Sequence, residues 1–222
     1  MGIVGVLPAS GSASRISGIP KFALPISSNK SILQWHVEQM LEVCDEVRIS
    51  TRASWAQLVQ NMNMDVKIIV KEPSTMSDAV SHLAGSDSDT LIIGLPDTYM
   101  IGLKKNMYQE MIDSDGDVVL GTWNCHDEIK GRVGQIELDG DRVVSSRDKV
   151  YDCDYEYMWG TMLLRNMSSN IDPQLAHVGL QIQEWVDKGL DVRSVKPGGE
   201  YMDIGTIEGI KNLYRKLEND TK

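Results

Sequence analysis

Short apolar runs alternate with amphipathic stretches along the first 123 residues, and that alternation leaves few folds open. Residues 3–7 read as a buried strand. Strands follow at 46–51, 66–70, 90–94 and 117–123. Between them lie stretches with helical periodicity at 31–43, 53–62, 76–83 and 103–112. In the first of these, Ile32, Trp35, His36, Gln39, Met40 and Val43 fall along one mostly apolar face. A regular β-α alternation predicts a mostly parallel sheet with helices on both faces.

The pattern changes after residue 123. Residues 133–138 and 142–146 flank Asp139-Gly140-Asp141, a turn signal between alternating residues, and predict a hairpin. Residues 155–164 read as a strand and 173–188 as a helix, with Pro173 in its first turn and Gly189 past its end. A short strand at 192–195 and a helix over 206–217 complete the reading. The expectation is one α/β domain over 1–222, with a nucleotide-binding half at 1–123 and an acceptor-binding half at 124–222. A chain of 222 residues is long enough to bury a full core.

Composition narrows the classes of partner. Lys and Arg number 22 against 32 Asp and Glu, a formal charge of −10. An acidic surface repels polynucleotide phosphates and anionic lipid, so nucleic acid and membrane are not expected as partners. Cys44, Cys125 and Cys153 are widely spaced and odd in number, which suits neither a disulfide framework nor a metal pair. There is no signal-peptide pattern, Val6 breaks the myristoylation pattern, and no apolar stretch approaches a membrane span. These features together predict a cytoplasmic protein.

Chemistry concentrates first in Pro8-Ala9-Ser10-Gly11-Ser12-Ala13-Ser14-Arg15, immediately after the first strand. Small residues let backbone N–H groups approach a phosphate closely, and successive N–H groups can form an anion nest. Arg15 adds a planar fork of donors, and Lys21, after Pro20, adds a second cation. A plain Gly/Ser turn with a solvated Arg is the alternative on composition alone. The segment is not a Walker loop, because no Gly-Lys-Ser/Thr is present, and it lacks the three glycines of a dinucleotide fingerprint.

This loop, followed by Ile19-Pro20-Lys21-Phe22-Ala23-Leu24-Pro25-Ile26, resembles the signature of sugar-phosphate nucleotidyltransferases. In that family a strand leads into Ala-Gly-Gly-x-Gly-Thr-Arg, a spacer, Pro-Lys, and Leu-Pro-Ile or Leu-Pro-Val. The resemblance gives Arg15 and Lys21 the task of neutralising the triphosphate and the transition state at the α-phosphate. Ser10 and Ala13 stand where glycines are usual, and Ala13 adopts a positive φ only at a cost.

Two further segments match the same family. Gly94-Leu95-Pro96-Asp97 ends an apolar strand, where open α/β sheets bind ligands. Tyr201-Met202-Asp203-Ile204-Gly205-Thr206 is close to the Asp-Ile-Gly-Thr-Pro-Glu run of the family, with Ile207 in place of Pro. By resemblance Asp97 and Asp203 hold Mg²⁺, which takes oxygen ligands from one or two carboxylates plus substrate phosphates. A turn aspartate at 97 and a helix cap at 203 are the plain alternatives. Between residues 71 and 79, Glu72 and Ser77 match the positions that contact the base. A carboxylate accepts but does not donate, so Glu72 favours cytosine or guanine over thymine or uracil. Gly134, Asp148, Lys149, Trp159 and Gly160 match the acceptor-binding segments, with Trp159 replacing a small residue. His126 and His177 suggest no chemistry.

The resemblance covers residues 3 to about 215 and implies the nucleotide-diphospho-sugar transferase fold, a three-layer α/β/α sandwich with a mostly parallel mixed sheet. It implies transfer of a nucleoside monophosphate from an NTP to a sugar 1-phosphate, with loss of pyrophosphate. Two other readings stay open: nucleotidyl transfer to a phosphocholine-like or polyol-phosphate acceptor, and a nucleotide-sensing module without catalysis. Members of the family are often dimers or tetramers.

Overall fold

A computed structural model describes residues 2–11, 18–85 and 89–220, apart from the side chains of Ser168 and Asp220. The strands are β1 (Ile3–Pro8), β2 (Pro25–Ser27), β3 (Lys30–Ser31), β4 (Glu46–Thr51), β5 (Lys67–Val70), β6 (Thr90–Gly94), β7 (Thr98–Ile101), β8 (Val118–Asn124), β9 (Gly134–Asp139), β10 (Arg142–Asp148), β11 (Tyr157–Arg165), β12 (Val192–Val195) and β13 (Glu200–Asp203). The helices are α1 (Ile32–Leu41), α2 (Ala53–Gln60), α3 (Met76–Ala84), α4 (Met107–Ile112), α5 (Leu180–Asp187) and α6 (Ile207–Asp220).

Nine strands form one mixed sheet in the order β5-β4-β1-β6-β11-β8-β12-β10-β9. β5, β4, β1 and β6 run parallel, and β11 is antiparallel to both its neighbours, β6 and β8. The central strands β1, β6 and β11 are nearly continuous apolar runs because helices cover both faces. On one face α3 and α5 contribute Val80, Leu83, Ile182 and Trp185. On the other, α1, α2 and α4 contribute Leu33, Val37, Met40, Val59, Met107, Tyr108 and Met111. The three-layer α/β/α sandwich read from the sequence is the architecture found.

Local chemistry explains where elements start. Ser31 Oγ accepts the Gln34 N–H (3.3 Å) and Gln34 Oε1 accepts the Ser31 N–H (2.9 Å), a reciprocal cap that begins α1. Leu33 and Val37 are buried together with Ile32, His36 and Met40, so the inward face of α1 is rotated from the expected one. α4 begins at Met107, later than the expected 103, because Asn106 Oδ1 accepts from Tyr108 N and Gln109 N.

The helix expected over 173–188 is shorter and spans only Leu180–Asp187. The preceding residues spend their backbone groups elsewhere. Pro173 O accepts from Thr75 Oγ1 (2.9 Å) and Ala176 O from Met76 N (3.2 Å), while the Gln181 carboxamide bonds Asp172 N and Asn170 O. The segment is thereby drawn across the start of α3. A two-stranded ribbon of β7 and β13, with Asp203 opposite Thr98, was not read from the sequence. It packs with α6 over a third apolar cluster of Ile32, Met202, Ile204 and Leu213.

Candidate active site

A cleft of about 610 Å³ opens at the carboxyl ends of β1, β4 and β6. Pro8 to Gly11, Lys21, Phe22, Arg52, Trp55, residues 73–76, Ala79 and residues 95–97 form most of its wall. Lys149, Ala176 and His177 close its other side. This is the crevice at strand ends where open α/β sheets take ligands.

Asp97 is set by a tight turn after β6. Leu95 O accepts both Thr98 N (3.1 Å) and Thr98 Oγ1 (2.8 Å), which leaves Asp97 at the corner. Gly94 just before the turn has no room for a Cβ, which would lie 2.6 Å from Tyr108 Oη and 2.7 Å from Leu7 Cδ2. Lys21 arrives from a separate segment. It opens a short 3-10 turn, Lys21–Ala23, whose Phe22 is buried edge-on against Trp55. Lys21 Nζ then reaches Asp97 Oδ2 at 3.1 Å. The Lys21 side chain is 11% exposed and that of Asp97 44%, so Asp97 still faces the cleft mouth.

The ribbon brings the second aspartate alongside. Asp203 lies opposite Thr98, and Ile204 N donates to Asp97 O (3.3 Å). Asp203 Oδ1 accepts Gly205 N (2.8 Å), and Arg132 Nη1 stands 3.9 Å from Asp203 Oδ2. Glycine is required at 209, where a Cβ would fall 2.1 Å from Asp203 O. Thr206 Oγ1 accepts Gly209 N, so the cap of α6 is Thr206 and not Asp203. Tyr201 registers both carboxylates: burial pushes its phenol well above the ordinary range, and Asp97 and Asp203 push it further. Among the described residues no three His, Cys, Asp or Glu side chains gather as a metal set. Asp97 on the cleft wall and Asp203 on the adjoining ribbon are nonetheless oxygen donors of the kind Mg²⁺ takes, with phosphate oxygens and water to complete its shell.

Behind Asp97 lies a buried histidine. His36 Nε2 is 2.9 Å from Thr98 O and Nδ1 is 2.7 Å from Tyr108 Oη. The carbonyl can only accept, so Nε2 carries the proton and Nδ1 accepts from the tyrosine. Burial lowers the pKa of His36 to about 4, against opposing contributions from Thr98 and Asp97, so the ring is neutral near pH 7.

On the far side of the cleft, Asp148 and Gly134 pair across the β9–β10 hairpin. A Cβ on Gly134 would lie 2.0 Å from Trp159 Nε1 and 2.9 Å from Asp148 Oδ1, and one on Gly179 2.6 Å from Trp159 Cζ2. The two glycines therefore cradle the indole. Trp159 Nε1 and Asp148 Oδ2 are buried without a hydrogen-bond partner among the described residues, and burial raises the Asp148 pKa against the pull of Lys149 and His177. Lys149 holds a left-handed backbone, φ +56°, and its Nζ donates to His177 Nε2 at 2.6 Å. Gly160 sits at a bulge between β11 and β8, beneath Tyr201.

Of the residues singled out in the sequence, Pro8, Ala9, Ser10, Gly11, Lys21, Asp97 and Lys149 line the cleft. Asp203 is not on the wall; the ribbon sets it opposite Thr98, next to the Asp97 turn. Ser12, Ala13 and Arg15 lie outside the described residues. Glu72 is exposed and absent from the cleft wall, where residues 73–76 and Ala79 stand instead. Ser77 is fully buried, and its Oγ has no hydrogen-bond partner among the described residues. Gly134, Asp148, Trp159 and Gly160 lie beside the cleft and not on its wall. Arg52, Trp55 and His177 are cleft residues that sequence reasoning missed. No motif marks them, although Arg52 directly follows a strand whose end was correctly placed.

Neither a family model nor a curated protein sequence matches the chain. Solved structures do. One is a putative glucose-1-phosphate thymidylyltransferase from Bacillus anthracis, with TM-score 0.77 and 15% identity over 97% of this chain and 95% of that one. A second is the inositol-1-phosphate CTP transferase from T. maritima, with TM-score 0.73 and 12% identity over 97% and 96%. A third is a UDP-glucose pyrophosphorylase complexed with UDP-glucose, with TM-score 0.77 and 17% identity over 99% and 100%. The superpositions span nearly the whole chain in each case, and the protein therefore shares the fold of these structures, as expected from the sequence.

Proposed function

We propose that this chain transfers a nucleoside monophosphate from an NTP to a sugar 1-phosphate and releases pyrophosphate. The observation that carries the reading is the Lys21–Asp97 pair, held beside Asp203 by the β7–β13 ribbon at the mouth of a cleft walled by Pro8 to Gly11. Asp97 and Asp203 are the residues to hold Mg²⁺, which when bound offsets charge on the phosphates. An oxygen of the acceptor phosphate attacks the α-phosphorus in line, the bond to the β-phosphate oxygen breaks, and pyrophosphate leaves with that electron pair. No covalent enzyme intermediate is needed. Catalysis is positioning and charge neutralisation. Lys21, anchored through Phe22, places a cation between the α-phosphate and the incoming phosphate. The backbone N–H groups of Ser10 and Gly11 take phosphate oxygens, since Pro8 has none and that of Ala9 is held by Ser50 O at 3.0 Å. Lys149 and His177 face the acceptor side. The fold shared with three nucleotidyltransferases supports this reading.

One observation favours a variant acceptor. A polyol phosphate or a phosphocholine-like ester is that acceptor, since one structural neighbour is an inositol-1-phosphate CTP transferase. A screen of pyrophosphate release across five NTPs, sugar 1-phosphates, polyol phosphates and phosphocholine, with Mg²⁺, separates the two acceptor classes. Release that depends on both an NTP and a sugar 1-phosphate is the expected result. NTP binding with no release under any acceptor overturns the catalytic reading.

A further inference from the structure

We propose that Arg52 is a phosphate-binding residue that grips the terminal phosphates of the bound NTP, and so the pyrophosphate that leaves. The inference rests on the nucleotidyltransferase reading and goes beyond it, since neither the loop motif nor the aspartate motifs involve this position. Arg52 is the first residue after β4, at the edge of the cleft. Three observations set its chemistry. Its Nε donates to Ser10 O at 3.2 Å, which ties the guanidinium to the small-residue loop that admits phosphate. Its Cζ lies 5.3 Å from the centroid of the Trp55 ring, which holds the guanidinium plane. Among the described residues its two terminal nitrogens make no hydrogen bond, which leaves a fork of donors beside the cleft.

The rest of the wall says what that fork meets. Lys21 is paired with Asp97 beyond the β6 end, whereas Arg52 stands at the β4 end, on the other side of β1. The two cations are linked through one aromatic contact: Phe22 follows Lys21, and its ring packs 5.6 Å from that of Trp55, which carries Arg52. A triphosphate whose α-phosphate lies at Lys21 and Asp97 extends its β- and γ-phosphates along this contact to Arg52. A guanidinium held at Nε presents its remaining donors as a bidentate pair, the geometry that matches phosphate oxygens.

The test uses inorganic tripolyphosphate, because it carries no base. Calorimetry compares wild type, Arg52→Gln and Arg52→Lys for tripolyphosphate, pyrophosphate, each NTP and the matching NMP. Loss of a charge-assisted contact of this kind corresponds to roughly tenfold to hundredfold in affinity. Arg52→Gln is expected to lose that much for tripolyphosphate, pyrophosphate and NTP while its affinity for NMP is unchanged. Arg52→Lys is expected to recover part of the loss. Unchanged tripolyphosphate and NTP binding by Arg52→Gln overturns the proposal, as does an equal loss for NMP and NTP, which marks a base contact. Wild-type protein that binds neither NTP nor tripolyphosphate sinks the nucleotidyltransferase reading itself. Thermal melting of Arg52→Gln within a few degrees of wild type shows that the fold is retained. If that variant unfolds, Trp55→Leu gives the second measurement, with a smaller loss for tripolyphosphate and none for NMP.

Discussion

Single side chains carry the chemistry, and two of them give sharp expectations. Lys21 donates to Asp97 from a position more buried than its partner, with Phe22 as its anchor. Lys21→Met removes the cation and leaves the anchor. Turnover should fall by about 10²–10³-fold, the usual cost of one preorganised electrostatic contact, with the melting temperature little changed. Steady-state kinetics beside a melting curve check this, and a variant with normal turnover refutes the role. His36 gives a stability signature instead. Its folded pKa is about 4 and its unfolded value about 6.5, so the unfolded chain takes up the proton first as pH falls. The stabilisation is complete above about pH 6.5 and fades toward pH 4, a loss of about 3 kcal/mol. Urea midpoints between pH 7 and 4 should fall less steeply in His36→Gln than in wild type. Equal slopes in the two proteins count against the buried neutral ring.

At the scale of elements, the best-read parts of the chain were those governed by local pattern. β4 and β6 begin and end where their apolar runs do, and the β9–β10 hairpin turns at Asp139-Gly140-Asp141 as its residues dictate. What escaped were pairings between distant segments. The β7–β13 ribbon joins residues about a hundred positions apart, and neither strand alone shows the alternation that marks a half-buried strand. The stretch before α5 has helical periodicity, but carbonyl bonds to Thr75 and Met76 claim its backbone first. The candidate site shows the same division. Lys21, Asp97 and Asp203 were legible because a motif surrounds each, whereas Arg52 and Trp55 become neighbours of Ser10 only through the β1–β4 pairing. Two substitutions test elements directly. Ser31→Ala removes half of the reciprocal cap on α1 and should cost about 0.5–2 kcal/mol of stability without changing KM. Gly160→Ala places a Cβ 2.4 Å from Tyr201 Cε2, and overpacking of that kind costs about 1–3 kcal/mol. Because Tyr201 belongs to the ribbon that carries Asp203, this variant should lose activity as well as stability. Chemical denaturation with parallel assays distinguishes the two outcomes, and an active Gly160→Ala protein argues against a rigid ribbon.

At the scale of the molecule, the sheet supplies the crevice and the ribbon sets a second carboxylate, Asp203, next to its Asp97 turn. Loop, cation and aspartates come from four separate stretches of chain and meet only because β1 and β6 are adjacent and β13 returns to β7. The central claim is that this meeting forms a metal-dependent nucleotidyl-transfer site. Formation of nucleotide-linked product and pyrophosphate by wild type and Asp203→Ala, with Mg²⁺, NTP and acceptor present, tests it most directly. The account predicts turnover by wild type, none by Asp203→Ala, and the same circular dichroism spectrum for both. Near-normal product formation by Asp203→Ala contradicts it.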